Sequence, residues 1–203
     1  MASEHGDLAH GGTPAGVARV FEAASAQLGG IDTVVNAVTR WWVGFPEDAT
    51  DEVIADLFRW NVATASAVAQ GALRHIPGSG SLLSISHVWA TGTSPELGVA
   101  GASKAALGPL TKAVAQRGAA RRLRANLLLV GVVDTPSLRD LAAERLRALG
   151  IEGDPWARIT SRVAMGRAAQ PDEVAKAAAF LASDHSRLIT GATVLCDGGL
   201  LYA

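Results

Sequence analysis

The chain has one cysteine, one tyrosine and two methionines among its 203 residues. A lone Cys196 can close no internal disulfide, and in the apolar run "GATVLCDGG" it reads as a small buried hydrophobe rather than a nucleophile or metal ligand. Charge of one sign is also lacking. Lys and Arg number 18 against 19 for Asp and Glu, so no global field favours nucleic acid or an anionic surface. No uncharged, strongly apolar run reaches 18 residues, which argues against a membrane span. The opening "MASEHGDLAHGGTPAG" has neither the basic start nor the apolar middle of a signal peptide. These absences predict a soluble, cytoplasmic protein without a metal site. Its length suits one domain, residues 1–203, with a substantial core.

What is present is alternation. "GVARVFEAASAQL" over 16–28 places Val17, Val20, Phe21, Ala24 and Leu28 on one face of a helix that "GG" then ends. "IDTVVNAV" over 31–38 is a short apolar run of strand type. Thr50, followed by Asp51 and Glu52, is set to cap one long helix that fades near His75. "IPGSG" breaks the chain before the strand "SLLSIS", and a helix follows over about 99–115, with 116–120 as an extension. "LRANLLLVGVV" begins a third strand run. Beyond it come the charged helix "SLRDLAAERLRAL", the insertion-like "GIEGDPWARITSRVAM", a helix starting at Pro171 and a last strand "ATVLC". Short, continuously apolar strands between helices of ten to twenty residues predict a three-layer α/β fold, with a parallel sheet of about four strands covered on both faces.

Five segments, in order and spacing, resemble the short-chain dehydrogenase/reductase family over nearly the whole chain. "VVNAV" is similar to the family's Asn-Asn-Ala-Gly strand end and "WNV", with Asn61, to the conserved Asn of the next helix. "SISH" through "ASKAAL" resembles the segment bearing the catalytic Ser and the Tyr-x-x-x-Lys pair. "VGVVDTP" resembles the family's Pro-Gly-x-Val-x-Thr-Pro turn, and "GRAAQPDEVAKAAAFLASDHSRLITGATVLCDGG" closely matches its C-terminal segment. The resemblance implies a partial Rossmann-like sheet missing the first strands of the nucleotide-binding half. The chain is expected to be an N-terminally truncated, divergent member. No Gly-rich turn follows a first strand to meet a pyrophosphate. Counting back from Lys104, the Tyr position is Ala100 and the Ser position is His87. No cofactor is therefore expected.

His87 falls just beyond the end of a predicted strand, where open α/β sheets place their crevice, and imidazole can exchange a proton near neutral pH. The plainer alternative is a loop histidine satisfied by a carbonyl. Lys104 is either a remnant with a polar partner or an ammonium that stabilises an anion and adjusts His87. Asn61 suits a bond to backbone between helix and strand better than direct catalysis. Asp134 is a further candidate for positioning charge. Trp41, Trp42, Trp89 and Trp156 come from regions expected to surround one crevice, where they would hold a flat or apolar ligand or simply fill a core. Trp60 reads as packing.

The leading expectation is a cofactor-independent isomerase, lyase or cyclase acting on a small apolar molecule, with His87 as the proton-transfer group. Two alternatives stand beside it: a non-catalytic pseudoenzyme that assembles with a full-length homologue, and an NAD(P)-dependent oxidoreductase completed by another chain. The strand over 31–38 is expected to be an apolar sheet edge, so a homo-oligomer or a homologous partner chain is expected to cover it. Residues 1–12 are a less favoured cover.

Overall fold

The computed structural model describes residues 13–92 and 94–202; the proposed cover by residues 1–12 lies outside them. Helix α1 (Pro14–Leu28) starts two residues earlier than its periodicity predicts, because Thr13 accepts a hydrogen bond from Gly16 N and Pro14 fits the first turn. Strand β1 (Thr33–Asn36) follows. The expected long helix is interrupted: α2 (Asp51–Phe58), capped by Thr50, passes through a π-helical turn at Arg59–Ala63 into α3 (Thr64–His75). Strand β2 (Gly80–His87) leads to α4 (Gly98–Ala105) and α5 (Leu107–Gly118), which break at Ala106 where a continuous helix was expected.

Strand β3 (Leu123–Val130) is followed by α6 (Pro136–Ala148). The insertion-like stretch contributes a short helix, α7 (Pro155–Thr160). Helix α8 (Pro171–Ala182) and strand β4 (Thr193–Cys196) complete the described fold. All pairings in the sheet are parallel and its order is β1-β2-β3-β4.

Alternating residues of the strands face different helices. Leu82 and Ala125 pack with α1, α3 and α5 through Val17, Phe21, Ala72 and Val114. Leu83 and Leu128 turn to the other side, against Val174, Ala178 and Leu181 of α8. The chain is thus a three-layer α/β fold, and its continuous apolar strands follow from burial on both faces. No helix among the described residues is long and apolar enough to cross a membrane.

β1 is an edge of this sheet, as its sequence predicts. Val35 is half exposed there, and Val20, Leu28 and Trp60 help line a groove of about 410 Å³ along that side. Among the buried polar residues of the central strands, Arg124 makes the most hydrogen bonds to α8. Its guanidinium turns to the end of α8 and donates to the carbonyls of Leu181, Ala182 and Ser183 and to Ser186 Oγ, so α8 ends on a side chain from the sheet it covers. Arg124→Met should therefore cost on the order of 3 kcal/mol in urea unfolding, through several carbonyls left without donors. Arg187→Met, which removes only an exposed pair with Asp184, should leave the urea midpoint close to that of the wild type.

Candidate active site

Beyond the C-terminal ends of β1, β2 and β3 lies a cavity of about 200 Å³, bordered by Trp41, Ser86, His87, Lys104, Gly131 and Leu138. Parallel sheets gather such crevices where strand ends release their chains into loops. His87 is the last residue of β2, and its ring accepts a hydrogen bond at Nδ1 from Trp89 N at 3.3 Å, capping the turn that follows. An accepting Nδ1 leaves the proton of a neutral ring on Nε2. Among the described residues the buried Nε2 makes no well-aligned hydrogen bond, although the Gly131 backbone acts as a hydrogen-bond partner of the ring, and Ser86 Oγ beside it has none. The ring stacks on Trp89 at 4.0 Å between centroids and meets the edge of Trp41 at 5.5 Å.

Burial pushes the His87 imidazole down to about 3; Arg145 and, to a smaller extent, Lys104 press the same way, while the backbone of Gly131 opposes them. His87 is consequently uncharged at neutral pH. It can donate from Nε2 but does not carry a second proton.

Lys104 is 2% exposed. Its Nζ donates to Val38 O at 3.1 Å, and burial brings its pKa down to about 8. No carboxylate pairs with it among the described residues. The ammonium is thus a proton donor whose strength suits neutral pH.

Asn61 sits in the π-helical turn, which directs its side chain inward. Its Oδ1 accepts from Arg40 N at 2.8 Å, and its Nδ2 donates to Arg40 O at 3.0 Å and to Ser103 Oγ at 2.8 Å. It ties the loop after β1 to α4 beside Lys104 and does not border the cavity. Ala100, one turn before Lys104, is fully buried and offers no proton.

The other candidates are scattered. Asp134 is bound by the Arg139 guanidinium at 2.8 Å in a partly exposed pair, which holds its carboxyl below the usual range, and it does not border the cavity. Trp41 borders the cavity, and Trp89 stands behind His87. Trp156 packs at the edge of the neighbouring core with Arg139 over its ring, and Trp42 lies against Gly44. Sequence reasoning missed Thr39, Thr135 and Ser137, which border the cavity, and the buried pair Glu96 and Arg145 behind it. The small polar residues on either side of the strand ends were the available signal for the first three.

The model of a family described as enoyl-(acyl carrier protein) reductase matches residues 12–201. An uncharacterized oxidoreductase of Methylorubrum extorquens is 32% identical over 182 residues, covering 89% of this chain and 70% of its own length. The chain belongs to the short-chain dehydrogenase/reductase family. A 4-formylbenzenesulfonate dehydrogenase of Comamonas testosteroni is 35% identical over 185 residues, covering 89% of this chain and 71% of its own. The ligand-free aldohexose dehydrogenase of Thermoplasma acidophilum superposes with a TM-score of 0.84 at 26% identity, covering 94% of this chain and 75% of that one.

These findings correct two expectations. An N-terminally truncated, divergent offshoot is replaced by an ordinary short-chain dehydrogenase/reductase match running almost from end to end of this chain. The cofactor-independent isomerase, lyase or cyclase is overturned as well, because the similar proteins are oxidoreductases and dehydrogenases. The physical reason is one of weight. Membership is carried by the whole buried framework and its strand ends, whereas the contrary reading rested on the missing glycine-rich turn and on His87 and Ala100.

The buried ammonium gives a pH test. Lys104 has a folded pKa lowered from 10.5 to about 8, so between those values the unfolded chain binds more protons and stability rises with pH. Relative to Lys104→Met, the wild type should gain up to about 3 kcal/mol between pH 8 and pH 10.5, since one proton difference is worth about 1.4 kcal/mol for each step of one in pH. Urea denaturation of both proteins at the two limits reads the difference.

Proposed function

We propose that this chain is a cytoplasmic, nicotinamide-dependent oxidoreductase interconverting a carbonyl and a secondary alcohol on a small, largely apolar substrate, and that a homologous partner chain completes its cofactor site. One observation carries this reading: a largely apolar strand-end cavity bordered by a buried imidazole and by a lysine ammonium that has no carboxylate partner among the described residues, in a member of a dehydrogenase family.

The nicotinamide and ribose end of the cofactor fits the donor set. Lys104 uses one N–H on Val38 O and has others for ribose hydroxyls, while Ser86 Oγ and His87 Nε2 are buried polar atoms without a well-aligned partner among the described residues. The pyrophosphate end finds no glycine-rich strand-to-helix turn among the described residues. The open edge of β1 and its apolar groove are where a partner's strand would add to the sheet.

The cofactor, when bound, supplies or accepts the hydride. His87 donates from Nε2 to the substrate oxygen and orients it, without ever becoming charged. Lys104 gives its proton to that oxygen as the alcohol forms and takes it back in the reverse direction; a pKa of about 8 leaves both forms available near neutral pH. Trp41 and Leu138 supply apolar walls that exclude water.

The test follows nicotinamide absorbance with NADH, NADPH and a panel of apolar ketones, using the chain alone and mixed with a full-length homologue. Saturable turnover should appear in at least one mixture and fall by about 10²-fold or more in Lys104→Met. Absence of both turnover and cofactor binding in every mixture overturns the reading. A second reading, a non-catalytic assembly partner, is favoured by one observation, the buried Ala100 where the family's phenol would stand. Tight pairing with the homologue without turnover at this chain's own cavity would establish it instead.

A further inference from the structure

Behind the cavity lies a column of buried side chains that the proposed reaction does not use. Arg145 of α6 places its guanidinium 4.3 Å from the centroid of Trp89, the ring that stacks on His87. Glu96, in the turn before α4, fixes that guanidinium: Arg145 Nε donates to Glu96 Oε1 at 2.8 Å and its Nη2 lies 2.7 Å from the same oxygen. Ser94 Oγ donates to Glu96 Oε1 at 3.0 Å and accepts from Arg145 Nη2 at 3.3 Å. The Glu96 side chain is 1% exposed and that of Arg145 9%. The turn itself is pinned, since Glu96 O accepts from Gly44 N in the loop after β1.

A buried pair of this kind is weak ground for stability. Two charges taken out of water recover their desolvation only with good geometry, and an apolar pair of similar volume often serves at least as well. Its position offers another role. A planar guanidinium that is clamped at one end and laid on an indole restricts the tilt of that indole, which in turn shares a stacked face with the imidazole.

We propose that Arg145, clamped by Glu96, is a positioning residue that acts through Trp89 to hold His87 in one orientation, with Nδ1 on Trp89 N–H and Nε2–H turned to the cavity. The assignment rests on the reading above only for what His87 does to a substrate oxygen; the orientation is a property of the folded chain. The groups acting on His87 from its surroundings are Lys104 on α4, Arg145 on α6, the Gly131 backbone after β3 and the Trp41 ring after β1. No carboxylate among the described residues acts on it directly. The low pKa of the imidazole agrees with an environment that holds it neutral.

The test is the ring itself. The full chain has five histidines; labelled with 15N-histidine, it gives long-range proton–nitrogen spectra in which His87→Gln assigns the relevant pair of signals. In the wild type, Nε2 should bear the proton and Nδ1 should not, with no titration from pH 5 to pH 8. A wild-type His87 that titrates normally, or carries its proton on Nδ1, overturns the proposal. In Arg145→Met the two tautomers should mix between pH 5 and pH 8, and the titration midpoint, followed in both proteins down to pH 3, should rise by about one pH unit or more, since a neighbouring cation and its clamp on Trp89 are both gone. Arg145→Lys separates geometry from charge. It retains a cation for Glu96 but no plane to lie on the indole, so tautomers should mix with a smaller rise, and this variant decides the matter if Arg145→Met fails to fold. A folded variant of either kind with wild-type tautomer purity and titration overturns the positioning role. These spectra need no substrate: a wild-type ring as described, in a chain that shows neither turnover nor cofactor binding alone or in any mixture, would leave the positioning intact and remove only the redox reading.

Discussion

The Asn61 amide holds the site together. Its three hydrogen bonds join a helix, the loop after β1 and α4, and the residues on either side of those bonds are the ones that matter chemically. On the loop, Arg40 is grasped at both its N–H and its carbonyl, which sets the path into Trp41. On α4, Ser103 receives the amide and donates its own proton to Ala100 O at 2.7 Å, so the turn that presents Lys104 is fixed from its buried side. Lys104 then reaches back to Val38 O on the same loop. The π-helical turn makes this possible. An extra residue in the turn shifts the side-chain phase and directs Asn61 between the two partners, a recurring use of such turns at functional sites.

Around that anchor, burial sets the chemistry. Water is excluded from both basic groups, and desolvation is the largest cause of the lowered pKa at His87 and at Lys104. The two respond differently because their starting values differ. Imidazole begins near neutrality and ends as a permanently neutral donor, whereas the amine begins far above it and ends where proton exchange is easy. A site with one adjustable cation and apolar walls stabilises charge that develops on a single oxygen, which is what carbonyl reduction and alcohol oxidation require.

Much of the fold was legible because it depends on local pattern. Thr50 with its acidic first turn, Pro171 at the start of α8 and the uninterrupted apolar strands each declare themselves within a few residues. The π-helical turn and the break at Ala106 were not legible, since "RWNVA" and "ASKAALG" both suit a continuous helix and only distant partners decide otherwise. The candidate site shows the same division. Lys104 and His87 could be placed by their distance from a strand end, but Asp134 pairs with Arg139 and the Glu96–Arg145 pair is hidden, because those outcomes depend on contacts between separate segments. The functional expectation failed for a related reason: it set a missing glycine-rich turn and two substituted positions against a resemblance spread over the whole framework.

The same framework explains why β1 is the side of the molecule open to addition. β2 and β3 are each paired on both edges and covered on both faces, so most of their residues are buried within one chain. Among the described residues β1 has one paired edge, and its outer flank is bordered by Val20, Leu28 and Val35, all more than half exposed. A strand of only four residues limits indiscriminate edge pairing, yet a flank this apolar is satisfied only by a strand accompanied by further apolar cover. Such an addition would extend the wall of the crevice beside Asn36 and Ala37, on the side of the cavity opposite β3. On the proposed reading, covering the sheet edge and completing the cofactor site are therefore one structural requirement rather than two.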